Sequence, residues 1–180
     1  MKEVVYQILE EMIISNHKGD YLNAELSAKK CIEYSNYVSV EDYLEIRNMV
    51  TVFLLDKGDY YGAVSFTEET ILYEEMLVDL RKELYPDSPK VFIRYAKSLS
   101  QLGQCYSYVQ DYDKGKNAFL KALDLFGEDR VNYQITLSYY LHLLIEIKDL
   151  EKYEEYAELY FGDTNLKNSL KIYMSWIVQQ

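Results

Sequence analysis

Proline and glycine are scarce in this sequence, with 2 and 7 among 180 residues. Helices therefore have few places at which they must stop, and a mostly helical chain is expected. Cysteine is equally thin. Cys31 and Cys105 lie far apart, with no C-x-x-C spacing and no neighbouring histidine, which excludes a disulfide framework and makes a reducing, cytoplasmic location the expectation. No apolar run approaches the roughly 18 residues that a membrane helix needs. The opening stretch, MKEVVYQILEEMIISNHKGD, mixes glutamates into its apolar residues and lacks a small-residue cleavage site, so no signal peptide is expected. Positive charge is in deficit: 19 Lys and Arg against 30 Asp and Glu leave a formal charge of −11. Nucleic acid is a poor partner for such a chain, because phosphate binding needs a basic face that releases counterions. The acidic excess reads as spread along the chain and serving solubility, the alternative being an acidic face for a basic partner.

Catalytic chemistry is missing too. The phosphate-cradling patterns G-x-G-x-x-G and G-x-x-x-x-G-K-[ST] do not occur. His142-x3-Glu146 puts two potential metal ligands one helical turn apart, yet a site needs at least one more, and His17 is the only other histidine. Glu154, Glu155 and Glu158 have no opposing group and read as a solvated helix face. Neither cysteine has a companion base. The expectation is a protein that is not an enzyme and needs no metal or cofactor.

What is present is periodicity. Hydrophobic residues make up 49% of the chain and tyrosine alone occurs 20 times. Val5, Ile8, Leu9, Met12 and Ile13 mark one face of a first helix. It ends at His17-Lys18-Gly19, and Asp20 offers an N-cap to a second helix with Tyr21, Ala24, Ala28, Cys31 and Ile32 facing inward. Ser39-x2-Asp42 is a capping box for a third helix. Lys57-Gly58-Asp59-Tyr60 then repeats Lys18-Gly19-Asp20-Tyr21, and Ala63 falls where Ala24 fell. The following helix runs long through Ile71, Leu72, Met76, Leu77 and Leu80. Ser88-Pro89 is a start signal for the next unit, whose turn is Gln110-Asp111-Tyr112. A fourth unit starts near Asp129 with Val131, Ile135, Tyr139, Leu143 and Ile147 in register, turns at Asp149, and returns with Tyr153, Tyr156, Ala157 and Tyr160 inward. Asp163 or Thr164 caps a last helix that carries Leu166, Leu170, Met174 and Ile177, with Trp176 packing there or at a partner contact.

The clearest unit is Ser98–Phe126, where Leu99-x2-Leu102-Gly103-x2-Tyr106 is followed by Phe119-x2-Ala122. This resembles the tetratricopeptide repeat, with Leu99 in place of the motif's Trp, Gly115 of its Ala and Gly127 of its Pro. The turn aspartates at 20, 59, 111 and 149 are spaced by 39, 52 and 38 residues, longer than the about 34 of the standard repeat. The resemblance implies an all-α, TPR-like α-solenoid: one domain over 1–180, with hairpins at about 2–36, 40–84, 89–127 and 130–161 and a capping helix at 163–178. In the family, the first helices of successive units line a concave groove that grips a peptide or a partner helix. Carried onto this chain, Lys97, Gln101, Gln104 and Tyr108 would face that groove, with Glu45, Asn48 and Val52 from the second unit. Ile135, Ser138, His142 and Glu146 would come from the fourth. The amides and hydroxyls would hydrogen-bond a peptide backbone, and Tyr108 is the tyrosine expected to read the ligand. The long helices and the DYDKGKNAFLKALDLF segment also resemble, more loosely, the sensor domains of bacterial peptide-pheromone receptors, although no basic recognition helix is present. The function implied is protein or peptide binding in the groove. The alternatives are a peptide-responsive signalling sensor and an acidic immunity protein that covers a basic toxin. No membrane partner is expected, and homo-oligomers are compatible with this reading.

Overall fold

The computed structural model describes residues 1–84 and 92–161. Ser88 and Pro89, and the expected capping helix at 163–178 with Trp176, lie outside the described residues. The protein is all-α: eight α-helices and no strand occur among the described residues. None of those helices is long and apolar enough to cross a membrane. The chain divides into two compact units, Met1–Leu84 and Tyr85–Gln180. The first holds α1 (Lys2–His17), α2 (Tyr21–Glu33), a 3-10 turn (Ser35–Tyr37), α3 (Val40–Lys57) and α4 (Tyr60–Leu84). The second holds α5 (Ile93–Tyr108), α6 (Tyr112–Phe126), α7 (Arg130–Glu146) and α8 (Leu150–Phe161). Each is a pair of helix hairpins in which the first helices also touch, α1 against α3 and α5 against α7.

Four hairpin turns share one backbone device. The residue before the turn aspartate is left-handed in every case: Gly19 (φ 73°), Gly58 (83°), Gln110 (61°) and Lys148 (59°). The aspartate N–H then donates to the carbonyl five residues back: Asp20 to Ser15, Asp59 to Leu54 and Asp111 to Tyr106 at 2.9 Å, and Asp149 to Leu144 at 3.0 Å. This closes the outgoing helix in a Schellman arrangement. The same aspartate opens the returning helix, its carboxylate accepting from the N–H of Asn23, Gly62 or Lys152 after Asp20, Asp59 and Asp149. Asp111 departs from this, pairing instead with Lys114 at 3.0 Å. Ser39 caps α3 as its sequence suggests, accepting from the Asp42 N–H and donating to the Asp42 carboxylate.

In the first unit, Val5, Ile8, Leu9 and Met12 of α1 pack against Ala24, Ala28 and Cys31 of α2 and Ile46, Val50 and Phe53 of α3. Burial pushes the Cys31 thiol up to about 11. The α3–α4 pair is built differently, around polar groups. Arg47 is 2% exposed; its Nε donates to Thr70 Oγ1 at 2.7 Å, and its terminal nitrogens donate to the Phe66 carbonyl, the Tyr43 hydroxyl and Glu69. The Phe66 ring lies 4.0 Å from the guanidinium carbon. Below it the buried hydroxyls of Thr51 and Thr67 meet at 3.1 Å, and buried Glu74 lies 3.6 Å from Arg81.

In the second unit, Phe119 and Leu123 of α6 pack with Leu137, Tyr140, Leu141, Leu143 and Leu144 of α7 and Tyr153 and Ala157 of α8. Tyr140 meets Tyr156 edge-on, with ring centroids 5.0 Å apart. Helices α5 and α6 approach closely at Gly103, where an added Cβ would lie 2.7 Å from the Phe119 ring. Lys116 of α6 reaches Asp149 at the start of α8, at 3.1 Å. Burial works to raise that carboxyl, but Lys116, the Lys152 N–H and both ammonium charges outweigh it and hold the carboxyl below its usual range.

One expectation about inward faces, that for Tyr21, needs correction, and two further helices show which side they bury. Tyr21 is exposed, because α2 buries Ala24, Ser27, Ala28 and Cys31 and the first residue of the helix lies at the edge of that face. On α4, Leu72, Met76 and Leu80 face solvent while Thr67, Thr70, Ile71, Glu74 and Val78 are buried. On α7, Val131, Ile135 and Tyr139 are exposed and the buried face is Thr136, Leu137, Tyr140, Leu141, Leu143 and Leu144. Helix α7 is apolar on most sides, so residue spacing does not by itself choose its inward face.

Two stability predictions follow from these contacts. Left-handed backbone costs a residue with a Cβ about 1–2 kcal/mol, so Gln110→Gly and Lys148→Gly should each stabilise the protein by roughly 1 kcal/mol in urea unfolding, whereas Gly19→Ala and Gly58→Ala should destabilise it. Gly103→Ala should cost about 1–3 kcal/mol by overpacking against Phe119, seen as a lower urea midpoint at unchanged m-value.

Candidate binding cleft on helices α5 and α7

Spacing of three and four residues puts Lys97, Gln101, Gln104 and Tyr108 on one face of α5. Opposite them on that helix lie the buried Ala96, Leu99, Leu102, Gly103 and Tyr106. Lys97 and Tyr108 are exposed; Gln101 and Gln104 are half-buried. Helix α7 has its own outward row: Val131, Ile135, Ser138, Tyr139 and His142. The two helices are fastened by a buried hydrogen bond in which the Thr136 hydroxyl donates to Ser100 at 2.9 Å. At their N-terminal ends the link is electrostatic. The Asp129 carboxyl is lowered chiefly by the Asn132 side chain and N–H that it accepts from, and the Lys97 charge adds to the effect.

At their C-terminal ends the two rows converge on a cavity of about 220 Å³. Gln104, Ser107 and Tyr108 form one wall, and Tyr139, His142 and Glu146 the other. Phe119 and Leu143 contribute from the core, and Gln110 and Tyr112 from the α5–α6 turn. Four of the residues named from the repeat, Gln104, Tyr108, His142 and Glu146, are thus brought together. Lys97, Gln101 and Ser138 lie further along the same rows. The Ser138 hydroxyl donates to the Ile135 carbonyl of its own helix at 2.7 Å, and Ser107 likewise donates to the Gly103 carbonyl. Asn48 belongs to the first unit, half-buried on α3 near the exposed Glu45 and Val52.

Tyr112 and Tyr139 also line the cavity, although the sequence singled out Tyr108 alone. Tyr139 precedes His142 by three residues, so its presence beside that residue was legible in the spacing. The cavity falls short of the about 300–1,000 Å³ of small-molecule sites, which fits it to one side chain rather than to a whole cofactor. Its rim offers amide, phenol and imidazole groups over aromatic and aliphatic walls, a combination suited to hydrogen-bonding a peptide while covering an apolar side chain. His142 Nδ1 stands 3.8 Å from Glu146, an ion pair when the imidazole is protonated. No three His, Cys, Asp or Glu side chains gather as metal ligands would among the described residues.

Compared with family models and with curated proteins, the chain matches none.

The Thr136–Ser100 bond fixes the spacing of the two rows. Thr136→Val strands the buried Ser100 hydroxyl and should cost about 1–3 kcal/mol. Adding Ser100→Ala should cost less than the two single changes together, giving a measurable coupling in a double-mutant cycle by urea unfolding.

Proposed function

We propose that this protein is a non-enzymatic binding module of the TPR-like α-solenoid kind, and that it holds an extended peptide or protein segment along the outward face of α5 and α7. The observation that carries this reading is the convergence of Gln104, Tyr108, Tyr139 and His142 on one side-chain-sized cavity. Beside it on α7, Val131 and Ile135 leave 69% and 48% of their surface exposed, an apolar strip next to the polar row of α5. A bound segment would cover that strip, anchor one apolar or aromatic residue in the cavity and take main-chain hydrogen bonds from the glutamines. The sequence motif at Leu99, Leu102, Gly103 and Tyr106 supports the same architecture, as does the contact between first helices within each unit.

The test is affinity selection of peptides from a random display library on the purified protein, followed by calorimetric titration of the selected sequences. Combined Gln104→Ala, Tyr108→Ala and His142→Ala should weaken binding at least tenfold, with unchanged circular dichroism and thermal midpoint. Selected peptides that bind this variant as tightly as the unaltered protein would put the site elsewhere.

A further inference from the structure

Helix α4 buries polar groups while exposing apolar ones. Its inward face mixes Thr67, Thr70 and Glu74, all at 0% exposure, with the buried Ala63, Ile71 and Val78. Its outward face carries Leu72, Met76 and Leu80 at one-turn intervals, exposed by 63%, 73% and 50%. This arrangement is fixed by directional bonds. Arg47 donates to Thr70 and Glu69 at 2.7 Å each, and Thr51 meets Thr67 at 3.1 Å. Rolling α4 to bury its apolar stripe would break these bonds and carry Arg47's partners away from a guanidinium that has no access to water. Leaving such a buried charge unmatched is strongly destabilising. The stripe is therefore held outward by the same contacts that hold the hairpin together.

Carboxylates border and interrupt the stripe. At 100° per residue, Asp79, Glu68 and Glu75 fall along its Leu72 edge, and Glu83 and Glu69 fall between its apolar residues. Helix α4 as a whole has six acidic and two basic residues, and residues 1–84 hold 17 acidic against 8 basic side chains, −9 of the chain's −11. The acidic excess is thus concentrated in the first unit, contrary to its even reading along the sequence. From Leu72 to Leu80 the stripe is about 12 Å long, and Tyr61, 78% exposed, lies further along the same face.

We propose that this face of α4 docks a basic amphipathic helix of a partner protein, whose apolar side covers Leu72, Met76 and Leu80 while its lysines or arginines meet the flanking carboxylates. Charge selects this occupant. A second copy would bring two units of −9 face to face, and an anionic membrane surface would be repelled. A helix with Leu on one side and Lys on the other satisfies both the stripe and its borders.

The probe is a fluorescein-labelled 18-residue Leu/Lys peptide patterned for an amphipathic helix, compared with a scrambled peptide of the same composition by fluorescence anisotropy. The patterned peptide should bind the full chain at least tenfold more tightly than the scrambled one and gain helical circular dichroism on binding. Leu72→Ser with Met76→Ser, both at solvent-facing positions, should remove that advantage without shifting the thermal midpoint. The combined Gln104→Ala, Tyr108→Ala and His142→Ala variant should keep it. Raising salt from 50 to 300 mM should weaken binding. Equal affinity for the two peptides, or full affinity in the Leu72/Met76 variant, overturns the proposal. So does sedimentation showing a dimer that the Leu72/Met76 variant loses, which would make the occupant a second copy.

Discussion

A chain reversal completed in two or three residues is the constraint on which each hairpin depends. One residue turns left-handed, and the aspartate after it closes the outgoing helix with its N–H and, at three of four turns, opens the returning helix with its carboxylate. Because so little chain is spent, the two helices lie close together, and in the first three hairpins small residues sit where they meet. Ala24, Ala63, Gly103 and Gly115 supply them and are all buried. The fourth hairpin makes the same turn with Tyr153 buried at the corresponding position, packed among the α7 leucines, so there the core takes up a larger side chain.

Much of this was legible in the sequence. The repeated Lys-Gly-Asp-Tyr located two turns, Ser39 announced the start of α3, and the scarcity of proline and glycine gave the helical class. The turns at Gln110 and Lys148 share the left-handed backbone of Gly19 and Gly58, but Gln and Lys do not advertise it. Inward faces were readable where polar residues mark the far side of the helix, as on α1. On α7 the apolar residues run most of the way round, so the choice rests on tertiary partners such as Phe119 and Tyr153. On α4 apolar residues lie on both sides of the helix, and their periodicity does not announce that Thr67, Thr70 and Glu74 go inward.

The cleft was partly legible for a related reason. The row on α5 follows from a strong motif, and its spacing alone puts Lys97, Gln101, Gln104 and Tyr108 on one side. The row on α7 rests on a register that the sequence leaves open, and a chain with 20 tyrosines offers no means of telling a packed tyrosine from an accessible one. Tyr140 is fully buried and its neighbour Tyr139 is exposed; one residue of rotation separates packing from recognition.

Arg47 has an implication that reaches past the first unit's stability. Apolar pairs tolerate sliding and rotation, because one methyl group substitutes for another; a guanidinium gripped by a hydroxyl, a carbonyl and a carboxylate does not. The information that aligns α4 with α3 is therefore stored in a handful of inward polar atoms. The remaining circumference of α4 is relieved of any part in specifying the hairpin, so its sequence is free to diversify, and new recognition chemistry could be written there while the scaffold stays the same.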